Sequence, residues 1–385
     1  VNVLICYRMN EHSKNTAGIF SKMLGQASAF AELGHSVRAI YMSLNRIVLS
    51  EVSAQANLNP IESFGPVEKQ GESEAFWRLA QKLASVKLWS PQLLFCRYDF
   101  MFEGDAFLNF LGAQRHRVTL SVVEFPTFPY EKEIRDLRLR AIDQSHAKQI
   151  GKYTDYVCSW NPAEEIYNVP NIRFDNKIRI VDKNISQSKA PLIAEDGVIR
   201  MLSVANIMFW HGFDRLLKGI ANYIQKSRAV PIELTIVGAG EGLVELQTLT
   251  QALGLQNIVS FEGFKPESDL KPYFDAASVC IGSLGLHRIG ISENSTLKIR
   301  NYIANGLPVV MSSKDRDLSE FDWIHFEGPD DTDIDVAAVV EFVQQANQHP
   351  HIRRDIRRFA RQHLTWINFA RAICQLSTPA KLSDQ

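Results

Sequence analysis

The 385-residue chain carries 42 Lys and Arg against 43 Asp and Glu, a formal net charge of −1, with 45% hydrophobic and 22% charged residues. That length exceeds one ordinary core and suits two domains. The balanced charge gives no global electrostatic basis for a nucleic-acid partner.

The opening VNVLICYRMN has no basic leader or cleavage site and reads as a first core strand, Val3–Tyr7. No apolar run reaches the roughly 18–20 residues that span a bilayer. Five scattered cysteines, none in a CxxC or Cys/His ligand spacing, suggest neither a disulfide framework nor structural zinc. They fit buried thiols in a reducing compartment, so a soluble, cytoplasmic protein without a bound metal is expected.

A polar loop runs to Gly18, followed by a helix from about Phe20 to Leu33, a capping Gly34 and a strand over His35–Tyr41. Further strands are expected at Leu93–Cys96, Val118–Val123 and Tyr156–Ser159, with helical spacing over Glu74–Ser85 and Lys132–Ile150. The latter stretch and its end carry Lys132, Arg135, Arg138, Arg140, Lys148 and Lys152. Such a run makes a solvated face or, alternatively, a contact with an anionic lipid surface.

The pattern restarts near residue 199, with strands at Ile199–Ala205, Ile232–Val237, Ile258–Phe261, Val279–Ile281 and Pro308–Met311. Helices are expected at Phe213–Gln225, Gly242–Leu253, Ser268–Ala276 and Leu297–Asn305. Two βαβ series divided near Asn184–Asp196 predict an α/β protein of two Rossmann-like domains facing a cleft. Ligands in such sheets bind beyond the carboxyl ends of the strands.

The stretch ENSTLKIRNYIANGLPVV (Glu293–Val310) joins a polar loop to a helix and then to a buried strand. Ser295, Thr296 and the free amides of a helix N-terminus form a natural phosphate site, with Lys298 in the first turn. By spacing alone, a capped surface helix with one solvated lysine fits equally well. Asn305-Gly306 ends the helix and Pro308 prevents its continuation. Glu124, just after a buried strand and before a Pro-aromatic loop, is a candidate base for an acceptor hydroxyl or a stabiliser of positive charge on a sugar. His12, Arg97, Tyr98 and Asp99 also sit near strand ends. Asp315-Arg316-Asp317 has a D-x-D form but reads as a solvated loop.

The Glu293–Val310 segment resembles the donor-binding region of GT-B glycosyltransferases, particularly the family-4-like enzymes of bacterial exopolysaccharide and O-antigen synthesis. Those carry a Glu, seven residues, a second Glu and an A-x-G-x-P-V-V ending; here Glu293 takes the first position, Asn301 the second, and ANGLPVV the ending. The resemblance implies that Glu293 contacts the donor sugar in a catalytic role, Lys298 the pyrophosphate and Asn301 the ribose. SVANIMFWHGFDRLLKGIANY (Ser203–Tyr223) resembles the first βα unit of the donor domain, with Asn206 and His211 where the family often has Arg and Lys. LTIVGAGEG (Leu234–Gly242) resembles its second strand and glycine turn, where Gly238 is a donor-site candidate or simply part of the tight strand-to-helix turn; Gly18 takes the place of the family's flexible glycine loop, or serves only to start a helix.

The resemblance implies an acceptor-binding domain over 1–185, a nucleotide-sugar-binding domain over 186–365, and a closing segment, 366–385, crossing back to the first. The activity implied is transfer of a sugar from a UDP- or GDP-linked donor to a saccharide or lipid-linked saccharide in surface-polysaccharide assembly. No further cofactor is expected, and the implied location is cytoplasmic, including the inner face of the membrane. A sugar-nucleotide epimerase of the same architecture and a non-catalytic sugar-nucleotide-binding subunit remain as alternatives.

Overall fold

A computed structural model describes residues 1–13, 16–86, 89–130, 134, 136–180, 185–226, 230–318 and 321–376. Lys132 and Arg135, two members of the basic run, lie outside the described residues. The chain divides into two compact units, Val1–Asp175 with Trp366–Gln385, and Asn176–Thr365.

The first unit is built on β1 (Asn2–Asn10), α1 (Ala17–Glu32), β2 (Ser36–Ser43), β3 (Arg46–Val52), β4 (Leu58–Phe64), α2 (Glu72–Leu83) and β5 (Leu93–Arg97). It continues through α3 (Ala106–Arg115), β6 (Leu120–Glu124), α4 (Leu137–Ala147), β7 (Tyr156–Ser159), β8 (Glu165–Ile166) and β9 (Val169–Arg173). The sheet order is β4-β3-β2-β1-β5-β6-β7-β9-β8. Its centre is parallel, and β3 and β4 add an antiparallel hairpin beside β2. The buried runs of β1, β5 and β6 are the apolar stretches of the sequence, as a parallel sheet covered on both faces requires. Trp77 on α2 anchors one flank, its ring 4.5 Å from Phe107 and 5.1 Å from Phe110 on α3.

The second unit comprises β10 (Ile199–Val204), α5 (Phe213–Lys226), β11 (Ile232–Val237), α6 (Leu243–Ala252), β12 (Val259–Gly263), α7 (Lys271–Ala276) and β13 (Val279–Ile281). α8 (Leu297–Ala304), β14 (Val309–Met311), β15 (Ile324–Phe326), α9 (Val336–Asn347) and α10 (Ile352–His363) complete it. The strands pair in parallel in the order β12-β11-β10-β13-β14-β15. Strand alternation sorts the core into two layers. Met201, Ile236 and Ile281 pack with Leu216 and Ile220 of α5 and Val339 and Val343 of α9. Their neighbours Leu202, Val237 and Cys280 pack with Ile299 and Ile303 of α8 and Ile356 and Ala360 of α10. The last helix, α11 (Ile367–Leu376), belongs to the first unit, where Phe369 meets Phe30 and Phe95 at ring distances of 6.2 and 5.4 Å.

Candidate functional site

In the second unit the chain steps from β10 outward to β11 and β12, then returns to lay β13 on the other side of β10. The loops after β10 and β13 therefore flank a topological switch point, where open α/β sheets bind ligands. They meet closely: a Cβ on Gly212 (φ 65°) would stand 2.7 Å from the Gly285 nitrogen, so only glycine fits there. Leu284 N–H donates to the His211 carbonyl at 2.8 Å. His211 Nδ1 accepts from Met208 N–H at 3.1 Å. A ring nitrogen used as acceptor leaves the proton on Nε2. Burial, and then the neighbouring Lys298 charge, push the imidazole pKa well below its usual value, so the ring is a neutral N–H donor.

Across the switch point, α8 begins at Thr296, whose side chain makes no capping hydrogen bond. Thr296 Oγ1 and Lys298 Nζ are both buried without a hydrogen-bond partner among the described residues. Burial lowers the Lys298 pKa from 10.5 to about 7. The ammonium lies 5.7 Å from the Phe213 ring centroid, and His211 stacks on that same ring at 5.4 Å. A buried amine without a hydrogen-bond partner, an unbonded hydroxyl, a neutral N–H and a helix N-terminus together make an arrangement suited to an anion.

The other sequence-derived candidates of this unit fall into two groups. Glu293 is half-buried and pairs as an isolated bridge with Lys314, held by Asn294 N–H to the Lys314 carbonyl at 2.9 Å and Lys314 N–H to the Ser292 carbonyl at 3.0 Å. Asn301 Oδ1 accepts from Asn305 Nδ2 at 3.0 Å, and Asn206 is exposed in the loop after β10. Ser295, by contrast, is buried, and its Oγ accepts from Asn176 N–H at 2.8 Å and Arg300 Nη2 at 2.7 Å. In both contacts the Ser295 oxygen is the acceptor, which ties the loop to Asn176 and Arg300. Gly238 sits in the tight turn after β11. Its N–H donates to the Gly263 carbonyl at 2.8 Å, and at φ +139° an added Cβ would fall 1.8 Å from the Ala205 oxygen. This glycine lets two backbones touch.

Within the Asp315–Asp317 loop Arg316 is exposed as expected, but Asp315 is not. Asp315 is 1% exposed and takes a two-pronged contact from fully buried Arg300, at 2.7 and 2.9 Å. Asp317 bonds Lys177 at 2.6 Å. Among the described residues no group of three or more His, Cys, Asp or Glu is placed to hold a metal ion.

In the first unit Glu124 ends β6 but does not open to solvent. It is 5% exposed, with Lys22 Nζ at 2.6 Å, Gln26 Nε2 at 3.2 Å, the Tyr7 hydroxyl in contact and Arg97 at 3.7 Å. Burial raises its pKa, but the Lys22 and Arg97 charges outweigh that and hold the carboxyl below its usual range. An ionised, enclosed carboxylate anchors a network; it lacks the access a base for an acceptor hydroxyl needs. Gly18 lies in the exposed first turn of α1, with nothing within 4 Å of an added Cβ. Asp99 is engaged by Arg8 and Trp77, each at 2.7 Å, and Tyr98 by Asp143 at 2.8 Å. Exposed His12 sits beside Glu11 and Ser43. Sequence reasoning missed Phe213 and Arg300; their spacing on α5 and α8 is that of core positions, and no local pattern separates them from packing residues.

Residues 184–320 match the family described as glycosyl transferases group 1. The amylovoran biosynthesis glycosyltransferase AmsK of Erwinia amylovora is 30% identical over 139 residues, 35% of this chain and 34% of the relative. The alpha-monoglucosyldiacylglycerol synthase of Streptococcus pneumoniae is 26% identical over 131 residues, 34% of this chain and 28% of the relative. The chain thus matches about a third of the length of these curated relatives. Anabaena HepE, solved with UDP and glucose, superposes with a TM-score of 0.65 at 13% identity, covering 97% of this chain and 99% of that one. The chain has the GT-B fold, and its residues 184–320 are similar to group 1 glycosyl transferases. The group 1 match spans the switch point, so His211, Phe213, Thr296 and Lys298 all lie inside it.

Proposed function

We propose that the protein is a glycosyltransferase that binds a UDP- or GDP-linked sugar in its second unit and an acceptor, a saccharide or lipid-linked saccharide, in its first. The bond between the sugar's anomeric carbon and the diphosphate breaks, the acceptor oxygen bonds to that carbon, and the nucleoside diphosphate leaves as the acceptor's hydroxyl proton is released. One observation carries this reading: Lys298 Nζ is buried beside the start of α8 with no hydrogen-bond partner among the described residues. A diphosphate would supply the missing counter-charge, and charge grows on it as the bond breaks, where preorganised donors lower the barrier most. The neutral His211 N–H and Thr296 hydroxyl add donors to the same anion. Glu293, held in place by the Lys314 bridge, contacts the donor sugar, and Asn301 the ribose. The match to a glycosyltransferase of amylovoran synthesis supports a polysaccharide setting.

The reading extends to the cytoplasmic face of a membrane. Leu137 is 70% exposed on α4, with Leu139 and Ile142 also exposed, beside Arg138 and ahead of exposed Lys148 and Lys152. Apolar and basic groups together suit an anionic lipid surface. Among the described residues no helix is long and apolar enough to cross a membrane.

The test is a thermal-shift panel of UDP, GDP, ADP and their sugars, followed by product analysis with labelled donor. A true donor raises the midpoint by mass action and yields a glycosylated product. A donor consumed without such a product overturns the transferase reading in favour of an epimerase or hydrolase.

A further inference from the structure

Arg300 is fully buried, and its guanidinium reaches three separate segments. Nε donates to the Asn176 carbonyl at 2.7 Å; Nη1 and Nη2 grip Asp315 at 2.7 and 2.9 Å; and Nη2 also reaches Ser295 Oγ at 2.7 Å and Asp317 at 3.1 Å. Asn176 closes the arrangement, with its N–H on Ser295 Oγ at 2.8 Å and its Nδ2 on the Ser295 carbonyl at 2.5 Å. Ser295 is the residue before the Thr296 cap of α8.

A buried ion pair is a poor source of stability, since apolar residues of similar volume serve as well. What a guanidinium offers instead is fixed direction, through a planar fork that binds several acceptors at set angles. These acceptors lie in the loop before α8, in the loop after β14, and at Asn176. The two loops are joined again by the Glu293–Lys314 bridge.

We propose that Arg300 is a positioning residue for donor binding: through Ser295 and Asn176 it fixes the loop Ser292–Thr296, and so the direction in which α8 presents Thr296 Oγ1 and Lys298 Nζ. The inference rests on the donor-site reading above. It assigns Ser295 to the loop's anchor instead of to direct donor contact. It also makes phosphate affinity depend on side chains that never touch the phosphate.

Ser295→Ala removes the Oγ contacts with Asn176 N–H and Arg300 Nη2, and Asn176→Ala removes the Nδ2 contact with the Ser295 carbonyl; both leave Arg300 on Asp315 and so keep the buried ion pair. UDP, GDP and ADP are titrated calorimetrically into wild type and variants, well below the unfolding midpoint, and midpoints are recorded without nucleotide. The expected result is a diphosphate affinity at least ~10-fold weaker in each variant, with the nucleotide-free midpoint within about 4 °C of wild type. Wild-type affinity in both variants overturns the inference, whether or not the midpoint falls, because the network would then serve stability alone. If wild type binds none of the three diphosphates, the donor-site reading itself fails and not this step.

Discussion

Replacing Lys298 with Met separates the stability of the second unit from its proposed binding role. The lysine pKa falls from 10.5 to about 7 on burial, and the unfolded chain therefore binds more protons than the native one between those values. Stability rises with pH across that window. The penalty is fully present below pH 7 and gone above about 10.5, and it amounts to on the order of 5 kcal/mol. Methionine fills a similar volume without a charge. Lys298→Met is therefore expected to unfold at a higher temperature than wild type at pH 6.5, with the difference shrinking as pH is raised to 9.5. The same substitution is expected to weaken nucleoside diphosphate binding by roughly 10- to 100-fold, the worth of a charge-assisted hydrogen bond. Wild type adds a further signature. Above its lowered pKa Lys298 is largely neutral, so binding a diphosphate there draws a proton from the buffer. Calorimetry in two buffers of different ionisation enthalpy reads that uptake. A variant less stable than wild type at pH 6.5, together with binding heats independent of buffer, would refute the reasoning.

Three other expectations concern separate parts of the molecule. His211→Ala removes one neutral donor and should raise the donor KM about tenfold; because the imidazole is already uncharged, wild-type donor kcat/KM should show no limb near pH 6.5 from this group, and such a limb that disappears in the variant would count against the assignment. Glu124→Gln removes the carboxylate charge facing the buried Lys22 ammonium and should cost about 3–5 kcal/mol in urea unfolding; unchanged stability would contradict the enclosed network. Since the Glu124 carboxyl titrates below its usual value, its stabilising contribution holds above the ordinary glutamate range and is lost as pH falls through the lowered pKa. Leu137→Glu with Ile142→Glu should abolish sedimentation with anionic phosphatidylglycerol vesicles while leaving the midpoint within about 2 °C; vesicle binding that persists in the double variant would dismiss α4 as the contact.

Much of the parallel sheet was legible because buried central strands show as continuous apolar runs, as in β1, β5 and β11. The β3–β4 hairpin was not: β4 reads LNPIESF with its residues half-buried or exposed, so it lacks the apolar run of a central strand. α10 escaped because IRRDIRRFARQH reads as a charged stretch, although Arg353 and Arg357 are buried and donate to backbone carbonyls of Ala277 and Ser188. At the site, the start of α8 and Lys298 were legible from the Ser/Thr-rich loop and the following helix. What the sequence concealed was pairing at a distance. Asp315 looked solvated because nothing local reveals Arg300 across fifteen residues of helix, turn and strand. Glu124 looked open because its partners, Lys22, Gln26 and Tyr7, come from elements about a hundred residues away. Ends of strands carry both ligand groups and buried anchors, and only tertiary contacts tell them apart.

The central claim is that a donor diphosphate completes the site at the start of α8. A crystal structure with a nucleoside diphosphate bound tests it most directly. The account expects phosphate oxygens within hydrogen-bond distance of Lys298 Nζ and His211 Nε2. A diphosphate seated elsewhere, with Lys298 Nζ still unpartnered, would contradict it.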